Sequence, residues 1–399
     1  MSRSATAART GPALILVLAT LTGIAPLATD MYVPGLPDLA RSLGTQPSSA
    51  ELSLTTFLVG VVAGQLVLGP VSDAAGRRPV LLAGTSLFAV SSLVCALAPS
   101  IVLLDVARLC QGFTGAAGIV VARAVITDLF RDTDAARKFS TLAAITSAAP
   151  ILAPTLGGAI LSVTSWRIVF AALAVLGLAQ VAGVLAWVPE SLPREDRGSA
   201  RPLAGLARLV RRPAVAGYVV SLCFGGAAVF AYIAGSTFVF SDVHGATPGL
   251  VSVIYGVNAL GSMAGSVVCG RLVARAGTER LLLAGIASAL LAAAVLAAAL
   301  LTTGGSLVLT WACLFAVITA FGVFFPAVTA AAQEAGRDAP GATSALLGGG
   351  QFLLGGAVSP LVGVFGTSSA LPLALIVTGC LAVATAAALI MRQCLRHRA

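Results

Sequence analysis

The sequence has little charge and almost no histidine. Only 10% of its 399 residues are Asp, Glu, Lys or Arg, and two are His, whereas soluble domains carry roughly 25% charged residues. Such a chain has too little polar surface to stay in water. The seven cysteines show no metal-ligand spacing, and His244 and His397 fall in a loop and in the tail. We therefore expect no metal site, no disulfides and no catalytic metal centre.

Long apolar runs make up most of the chain. Hydrophobic residues account for 58% of the sequence and the mean hydropathy is +1.00. The runs reach about 20 residues, enough to cross the hydrocarbon core of a bilayer as a helix, whereas a β-barrel would show short alternating segments. The sequence predicts an all-α integral membrane protein. Twelve transmembrane helices are predicted at 12–32, 50–71, 78–98, 100–124, 139–163, 167–188, 213–240, 248–271, 280–301, 305–331, 341–364 and 370–391.

The basic residues fix the predicted orientation. With both termini inside, twenty of the 24 Lys and Arg residues fall in inner segments, two (Arg41 and Arg167) in outer segments, and two (Arg108 and Arg123) within a span. Cytoplasmic loops are enriched in Lys and Arg. The distribution predicts a multi-pass protein of the cytoplasmic (inner) membrane with both termini cytoplasmic. It also accounts for the net charge of +9 without nucleic acid.

The first 30 residues resemble a signal peptide in one respect, since Arg3 and Arg9 precede an apolar stretch. The stretch is long and many further spans follow it, so we interpret it as an uncleaved first span.

The chain divides into two predicted halves. A charged, Pro/Gly-punctuated segment at 189–212 separates a six-helix bundle at 1–188 from a second at 213–399. The loop "GPVSDAAGRRPVLL" at 69–82 aligns with "GRLVARAGTERLLL" at 270–283, so that Gly69 meets Gly270 and Gly76 meets Gly277. Internal repeats of this kind are a known design of transporters. We predict two pseudo-symmetric six-helix bundles, with tight turns at both glycines.

These motifs resemble those of the major facilitator superfamily. "GPVSDAAGRRPVLL" is similar to its signature loop, Gly-x-x-x-Asp-x-x-Gly-Arg-Arg/Lys, and "LDVARLCQGFTGAA" at 104–117 to its fourth-helix motif. "TDMYVPGLP" followed by "GQLVLGPVSDAAGRRPVLL" is similar to the Bcr/CflA drug-resistance group, which includes chloramphenicol and bicyclomycin exporters. The resemblance covers the full chain and is stronger in its N-terminal half.

The resemblance implies a conformational latch at the signature loop. In the family, the loop aspartate caps a helix of the other half, and the arginines tie to acidic residues. Asp128 is the nearest predicted carboxylate partner of Arg77. The alternative is a loop that is basic for topology alone. The implied latch set is Gly69, Asp73, Gly76, Arg77, Arg78 and Asp128. The second copy has Ala274 and Glu279 where the first has Asp73 and Arg78, and therefore lacks the full latch.

Two charged residues fall within predicted spans at similar depth. Asp30 lies in the outer half of the first helix, and Arg108 in the outer half of the fourth, where a buried arginine needs a cavity or a partner. Burial raises the pKa of a carboxyl group and a nearby arginine lowers it, so a pair of this kind suits proton coupling. The alternatives are an Asp30 that orders the turn after its helix, and an Arg108 that reaches outward or pairs with Asp105.

A proline and glycine motif occupies the predicted fifth helix. "TSAAPILAPTLGGAIL" at 146–161 resembles the motif of drug/proton antiporters, which is thought to seal the interface between halves. Prolines remove helix hydrogen bonds and glycines allow close helix packing. The alternative is a kinked helix with no special role. The motif residues are Pro150, Pro154, Gly157 and Gly158.

A hydrophobic cavity with few charges suits amphipathic compounds. The predicted lining residues are Tyr32, Gln65, Gln111, Phe230, Tyr232, Tyr255, Asn258, Phe325 and Gln351, although core packing is an alternative for each. The resulting hypothesis is proton-coupled efflux of amphipathic drugs, with phenicol-type antibiotics as candidates, by a monomer in contact with membrane lipid. The proton gradient supplies the energy and no cofactor is expected. Alternatives are a carrier of a natural metabolite, a membrane enzyme, for which no nucleophile–base set is present, and a sensor.

Overall fold

A computed structural model describes residues 11–32, 35–147, 149–197, 202–364 and 369–396. Within these residues the chain is helical and contains no strand, as predicted. Two short elements lie between α-helices: a 3₁₀ turn at Arg194–Asp196 and a π-helical turn at Val239–Val243. The α-helices, in chain order, are α1 Pro12–Thr22, α2 Ile24–Asp30, α3 Leu36–Ser42, α4 Pro47–Ala75, α5 Arg77–Leu97, α6 Ile101–Leu129, α7 Asp132–Thr146, α8 Ala149–Leu161, α9 Trp166–Trp187, α10 Pro202–Val210, α11 Pro213–Phe238, α12 Pro248–Ala276, α13 Thr278–Thr303, α14 Leu307–Ala335, α15 Pro340–Val364 and α16 Leu371–Arg396.

Ten segments of the described chain are long and apolar enough to cross a membrane by length and composition. Each coincides with one of the twelve predicted spans, which confirms the all-α membrane fold class. The predicted eleventh span is also a single helix, α15, with 25 residues. The predicted fifth span, 139–163, is wrong as a single helix, because the structure divides it into α7 and α8.

Both interruptions of predicted spans lie near prolines. Pro26 has no N–H to donate to the carbonyl four residues earlier, and the first span turns at Gly23 between α1 and α2. The fifth span is divided between α7, which ends at Thr146, and α8, which begins at Ala149, one residue before Pro150. These breaks explain why apolar length alone predicted longer continuous helices.

The chain forms two compact units. The first comprises the described residues of Met1–Phe130, Ala148–Leu206 and Arg337–Gly349, and the second those of Arg131–Ser147, Ala207–Gly336 and Gly350–Ala399. Relative to the predicted halves, α7 belongs to the second unit and the first turns of α15 to the first unit. The division into halves at 189–212 stays a prediction drawn from the charged, Pro/Gly-punctuated segment.

Each unit contains a closely packed pair of 29-residue helices. In the first unit α4 packs on α6, and a methyl group on Gly64 would overlap the carbonyl oxygen of Phe113. In the second unit α12 packs on α14, and a methyl group on Gly265 would overlap the carbonyl oxygen of Thr319. Small residues let helix backbones approach closely in membrane proteins. The separation between Gly64 and Gly265 equals the separation between the loop glycines Gly76 and Gly277. The repeat therefore includes these helix-packing glycines as well as the loops.

Candidate functional site

Arg77 is the centre of a charged cluster in the first unit. It is the first residue of α5 and is fully buried. Its Nε donates to Asp128 Oδ2 at 2.9 Å, and its Nη1 donates to Asp73 Oδ1 at 2.6 Å and to Ser72 Oγ at 2.7 Å. The predicted contact between Arg77 and Asp128 is therefore present. Removing one partner of a buried ion pair leaves an uncompensated charge, typically at a cost of about 3–5 kcal/mol.

Asp73 also binds the start of α15. Its Oδ1 accepts a hydrogen bond from the amide of Gly341 at 2.9 Å, and its Oδ2 accepts one from the amide of Ala342 at 2.8 Å. The first amides of a helix have no partner within the helix, and the positive end of the helix dipole favours a carboxylate there. Gly69 allows the approach, because a methyl group on Gly69 would overlap the carbonyl oxygen of Gly341.

The Arg77 cluster is covered by the segment that follows α9. The amide of Arg77 donates to Glu190 Oε1 at 2.9 Å, and Ser191 Oγ donates to Asp128 Oδ2 at 2.7 Å. Glu190 also pairs with Arg197 at 3.4 Å. The loop glycine Gly76 has φ 103°, a conformation that L-residues rarely adopt. The predicted tight turn at Gly76 is thus present and lies under the Glu190–Arg197 pair.

Arg78 departs from the expected pattern. Instead of tying to an acidic residue, it donates from Nη2 to the carbonyl of Leu185 at 2.8 Å. Leu185 lies in the last turn of α9, where carbonyl groups lack helical donors and the dipole is negative. Arg78 therefore anchors the end of a neighbouring helix, and the predicted acidic partner is wrong for this residue.

Arg108 is fully buried in the first unit and is surrounded by aromatic rings. Its guanidinium carbon lies 4.2 Å from the ring centre of Phe57, 4.5 Å from that of Tyr32 and 5.5 Å from that of Phe170. We call these three rings the aromatic cage. Cation–π attraction in a desolvated site is worth about 2 kcal/mol, so the cage stabilises a cation whose side chain is fully buried.

The hydrogen bonds of Arg108 go to oxygen atoms of neutral groups. Its Nη1 donates to the carbonyl of Ala28 at 3.0 Å and to Gln111 Oε1 at 2.7 Å, and its Nε donates to the carbonyl of Ser53 at 3.3 Å. Gln111 in turn donates to Ser92 Oγ at 2.7 Å. Arg108 thereby holds the end of α2 against α4.

Asp30 is half-buried and is the last residue of α2. Among the ion pairs of the described residues, none joins Asp30 or Asp105 to Arg108. The pairing predicted from equal depth is wrong for this structure, because depth along the helix axes does not fix which way the side chains face. Arg108 instead contacts the backbone of Ala28, two residues before Asp30.

The second unit contains a cluster of aromatic and polar side chains among α11, α12 and α14. Asn258 Nδ2 donates to Tyr232 Oη at 2.7 Å, and Trp311 Nε1 donates to Asn258 Oδ1 at 3.1 Å. The hydroxyl of Tyr255 lies 2.6 Å from Ser236 Oγ, and the rings of Tyr232 and Tyr255 meet edge to face at 5.8 Å. Three predicted lining residues, Tyr232, Tyr255 and Asn258, are thus brought together.

The other predicted lining residues have different environments. Tyr32 and Gln111 are buried around Arg108, so in this structure they pack in the core of the first unit. Gln65 is fully buried against Gly348, and neither of its amide atoms has a hydrogen-bond partner in the described part of the chain. In the second unit, Phe325 packs on Phe321 with the two rings tilted, Phe230 packs edge to face on Phe352, and Gln351 lies against Gly226.

The proline and glycine motif forms α8, in which the two glycines differ. A methyl group on Gly157 would overlap the carbonyl oxygen of Met31, just beyond α2, whereas one on Gly158 would meet no atom within 4 Å. The predicted close packing therefore holds for Gly157 and is wrong for Gly158. Pro150 and Pro154 lie in the same helix. The sealing role of the motif stays a prediction.

Comparisons with known proteins agree with this fold and with the signature loop. A family model described as the Major Facilitator Superfamily matches residues 18–360. The chain belongs to the major facilitator superfamily. It is 38% identical over 362 residues to the uncharacterized MFS-type transporter YdgK of Bacillus subtilis, with 90% of each chain covered. It is 28% identical to the bicyclomycin resistance protein homolog of Haemophilus influenzae, with 94% of each covered.

A solved major facilitator structure has the same fold. The proton:xylose symporter XylE superposes with a TM-score of 0.77 at 16% identity, over 96% of this chain and 95% of that one. Members of the superfamily are membrane transporters, so the chain is a multi-pass transport protein and not an enzyme.

Sequence reasoning missed several residues of this major facilitator site. Glu190, Ser191 and Arg197 fall within the predicted linker at 189–212, and Arg337 is one of the twenty basic residues of the predicted inner segments. Arg337 donates to the carbonyls of Thr127 and Phe130 at 2.9 Å each, at the end of α6. The signal for Arg337 was available, since a basic residue just beyond a span can bind the carbonyl end of a neighbouring helix. The cage residues Phe57 and Phe170 carried no signal, because apolar aromatics are common in spans.

Proposed function

We propose that this protein is a proton-coupled exporter of amphipathic, drug-like compounds, including phenicol-type antibiotics. It would act as a monomer in the inner membrane with both termini cytoplasmic, and would use the proton gradient with no cofactor. The similarity to a bicyclomycin resistance protein homolog over 94% of both chains supports a drug substrate. The aromatic and amide groups of the Tyr232–Asn258 cluster support a neutral or weakly charged amphipath, because such pockets combine apolar walls with a few polar groups.

The observation that carries proton coupling is the position of Asp30. It is a half-buried carboxyl at the C-terminal end of α2, where the negative end of the helix dipole acts against an ionised carboxylate. Acidic residues within membrane spans are rare and typically mark proton or substrate pathways. Asp30 would carry the proton. Arg108 would act as a positioning residue, because it binds the backbone of the same helix through Ala28.

The Arg77 cluster would serve as the latch of one conformational state. Asp73 joins Arg77 to the start of α15, so breaking these bonds would release that helix. Contacts that form in only one of two conformational states stabilise that state, and a transporter alternates when such contacts form and break.

The proposal is tested in an exporter-deficient bacterium and in inverted membrane vesicles. The wild-type protein should raise tolerance to at least one compound of a panel that includes phenicols, and adding that compound to energised vesicles should release protons. Asp30→Asn should abolish proton release while leaving substrate exchange without a gradient intact, because exchange needs no net proton movement. Asp38→Asn, at an exposed position paired with Arg41, is the matched control and should behave as wild type.

Two results would contradict the proposal at different points. No tolerance to any compound would exclude the exporter and favour a metabolite carrier. Proton release by Asp30→Asn equal to that of the wild type would place coupling at another residue.

Arg108→Gln should lower the transport rate in both assays, since it removes the cation from the cage together with its bond to Ala28.

A further inference from the structure

Gln65 is a buried glutamine whose side-chain amide makes no hydrogen bond. It lies in α4 and none of its surface is exposed. Both Oε1 and Nε2 are without a partner among the described residues, whereas buried polar groups are normally paired. Gln180, a buried glutamine of the same unit, follows the rule, since its Nε2 donates to the carbonyl of Thr20 at 2.9 Å. The unpaired amide of Gln65 therefore requires an explanation.

The first turns of α15 cover this amide with small residues. A methyl group on Gly348 would overlap Gln65 Oε1, and earlier along α15 both Gly341 and Ala345 lie against Gly69 of α4. The amide oxygen thus occupies the space beside the Cα–H group of Gly348. A Cα–H···O contact is weak, so it leaves the stronger hydrogen-bonding capacity of the oxygen unused. The start of α15 therefore covers the amide without satisfying it.

Arg123 of α6 lies beside the same point. Its Nη1 is 3.2 Å from the position that a methyl group on Gly348 would take, and only 5% of the residue is exposed. Gln65 Oε1 nevertheless accepts no hydrogen bond from it. The surroundings of Gly348 thus contain an amide acceptor, an amide donor and a guanidinium, which carries only donors and is always charged. All of them belong to the first unit.

We propose that Gln65 is a substrate-binding residue whose amide, with Arg123 beside it, binds a neutral amide or imide group when the start of α15 moves away. A primary amide carries C=O and N–H on one edge. It therefore forms two parallel hydrogen bonds with a ligand whose own N–H and C=O lie side by side. Arg123 donates to the same ligand carbonyl, and its charge disfavours organic cations. The inference rests on the proposed export function and names its substrate class.

The latch controls access to this amide. Asp73 accepts hydrogen bonds from the amides of Gly341 and Ala342, two turns from Gln65 along α4 and two turns from Gly348 along α15. Breaking these bonds frees the start of α15 and uncovers Gln65. Ligand binding and latch release therefore favour each other, because a ligand that binds the uncovered conformation shifts the population toward it.

The first experiment compares two ligands that differ by one hydrogen-bond donor. 5-Phenylpyrrolidin-2-one is a lactam with N–H and C=O on one edge, and its N-methyl derivative lacks the N–H. Saturation-transfer NMR measures the binding of each to the full-length protein in maltoside detergent. The wild type should bind the lactam roughly tenfold more tightly. In Gln65→Met this ratio should fall to about one, because methionine has a similar length and no amide. An unchanged ratio in Gln65→Met would overturn the proposal.

The substrate class and the export function fail in different assays. If the wild type bound neither compound, the amide site would be refuted, while drug tolerance in the exporter-deficient bacterium would leave the export function standing. If the lactam preference depended on Gln65 but no compound of the panel gave tolerance, the export function alone would be contradicted.

Thermal unfolding separates a ligand-binding role from a structural one. Gln65→Met should keep or raise the unfolding temperature, because it replaces an unpaired buried polar group by an apolar one. Gln180→Met is the matched control. It should lower the unfolding temperature, since it removes the bond to Thr20, and it should keep the lactam preference. A lower unfolding temperature in Gln65→Met would show that the amide is paired within the protein, and would overturn the proposal.

A third experiment tests the cover over Gln65. Asp73→Asn should bind the lactam roughly fivefold more tightly than the wild type, because weaker bonds to α15 raise the population in which Gln65 is uncovered. Ala274→Asn, at the equivalent position of the second copy, is the matched control, and its Kd should stay within about twofold of wild type. An unchanged Kd in Asp73→Asn would show that α15 does not cover the site, and would overturn the proposal.

Discussion

The two copies of the repeated loop share a backbone conformation and differ in what lies beside it. Gly76 has φ 103° and leads into Arg77, which is buried between Asp73 and Asp128. Gly277 has φ 79° and leads into Thr278, which faces a cavity. In the first unit one arginine is set against two carboxylates, whereas the equivalent positions of Arg77 and Asp73 in the second unit hold the uncharged residues Thr278 and Ala274.

The comparison shows that duplication has conserved geometry and changed chemistry. The turn glycines, the serine-capped helices and the glycine contacts between paired helices recur in both units. These features depend on backbone shape, which few residues other than glycine can provide. The charges depend on single side chains and can change without loss of the fold. The first copy is therefore suited to holding a helix through its buried charges, and the second copy lacks the aspartate and the arginine for that contact.

The largest expected effect comes from removing the arginine of the first copy. Arg77→Met leaves Asp73 and Asp128 without their buried cation and should lower the free energy of unfolding by about 3–5 kcal/mol. Thr278→Met, the same change at the equivalent position, should alter it by about 0.5 kcal/mol or less, because threonine carries no charge and its replacement leaves no buried charge uncompensated. Denaturant unfolding in detergent measures both. Equal losses would mean that the two sites do not differ in charge pairing.

Much of this comparison could be predicted from the sequence. The spacing of Gly76 and Gly277 identified both turns, and the composition identified the apolar spans. Arg77 and Asp128 could be paired because each falls at the same end of a neighbouring span. These predictions use position along the chain and depth in the membrane, which hydropathy and charge encode directly.

Other features depend on information that one sequence does not contain. The direction of a side chain around its helix decided that Arg108 contacts Ala28 and three aromatic rings, and not Asp30. Glu190 reaches the amide of Arg77 only because the chain after α9 folds back over the loop. Asp128 and Glu334 are equivalent because each is the next-to-last residue of a 29-residue, serine-capped helix, α6 or α14, and helix lengths and caps are features of the structure.

The next largest effect should come from adding a methyl group at the two turns. In Gly76→Ala the backbone strain of about 1–3 kcal/mol adds to a collision, because the new methyl would lie 2.6 Å from Arg197 Nη2 and Glu190 Oε2. In Gly277→Ala the strain acts alone, since a methyl there would meet no atom within 4 Å. Gly76→Ala should therefore unfold at a clearly lower denaturant concentration than Gly277→Ala. The reverse order would show that the Glu190–Arg197 pair moves aside without cost.

The smallest of the three effects, and the most local, concerns the bond between Asp73 and α15. An asparagine in Asp73→Asn offers one acceptor oxygen where the carboxylate offers two, and it loses the charge that favours a helix N-terminus. The expected cost is about 1–2 kcal/mol, as for loss of a helix cap. Hydrogen exchange should report this cost directly. The amides of Gly341 and Ala342 donate hydrogen bonds to Asp73 in the wild type, and they should exchange faster in the variant. Ala274→Asn, at the equivalent position of the second copy, should leave exchange at these amides unchanged. If exchange at Gly341 and Ala342 stayed as slow in Asp73→Asn as in the wild type, the start of α15 would be held by packing, and the Asp73 carboxylate would not be part of the latch.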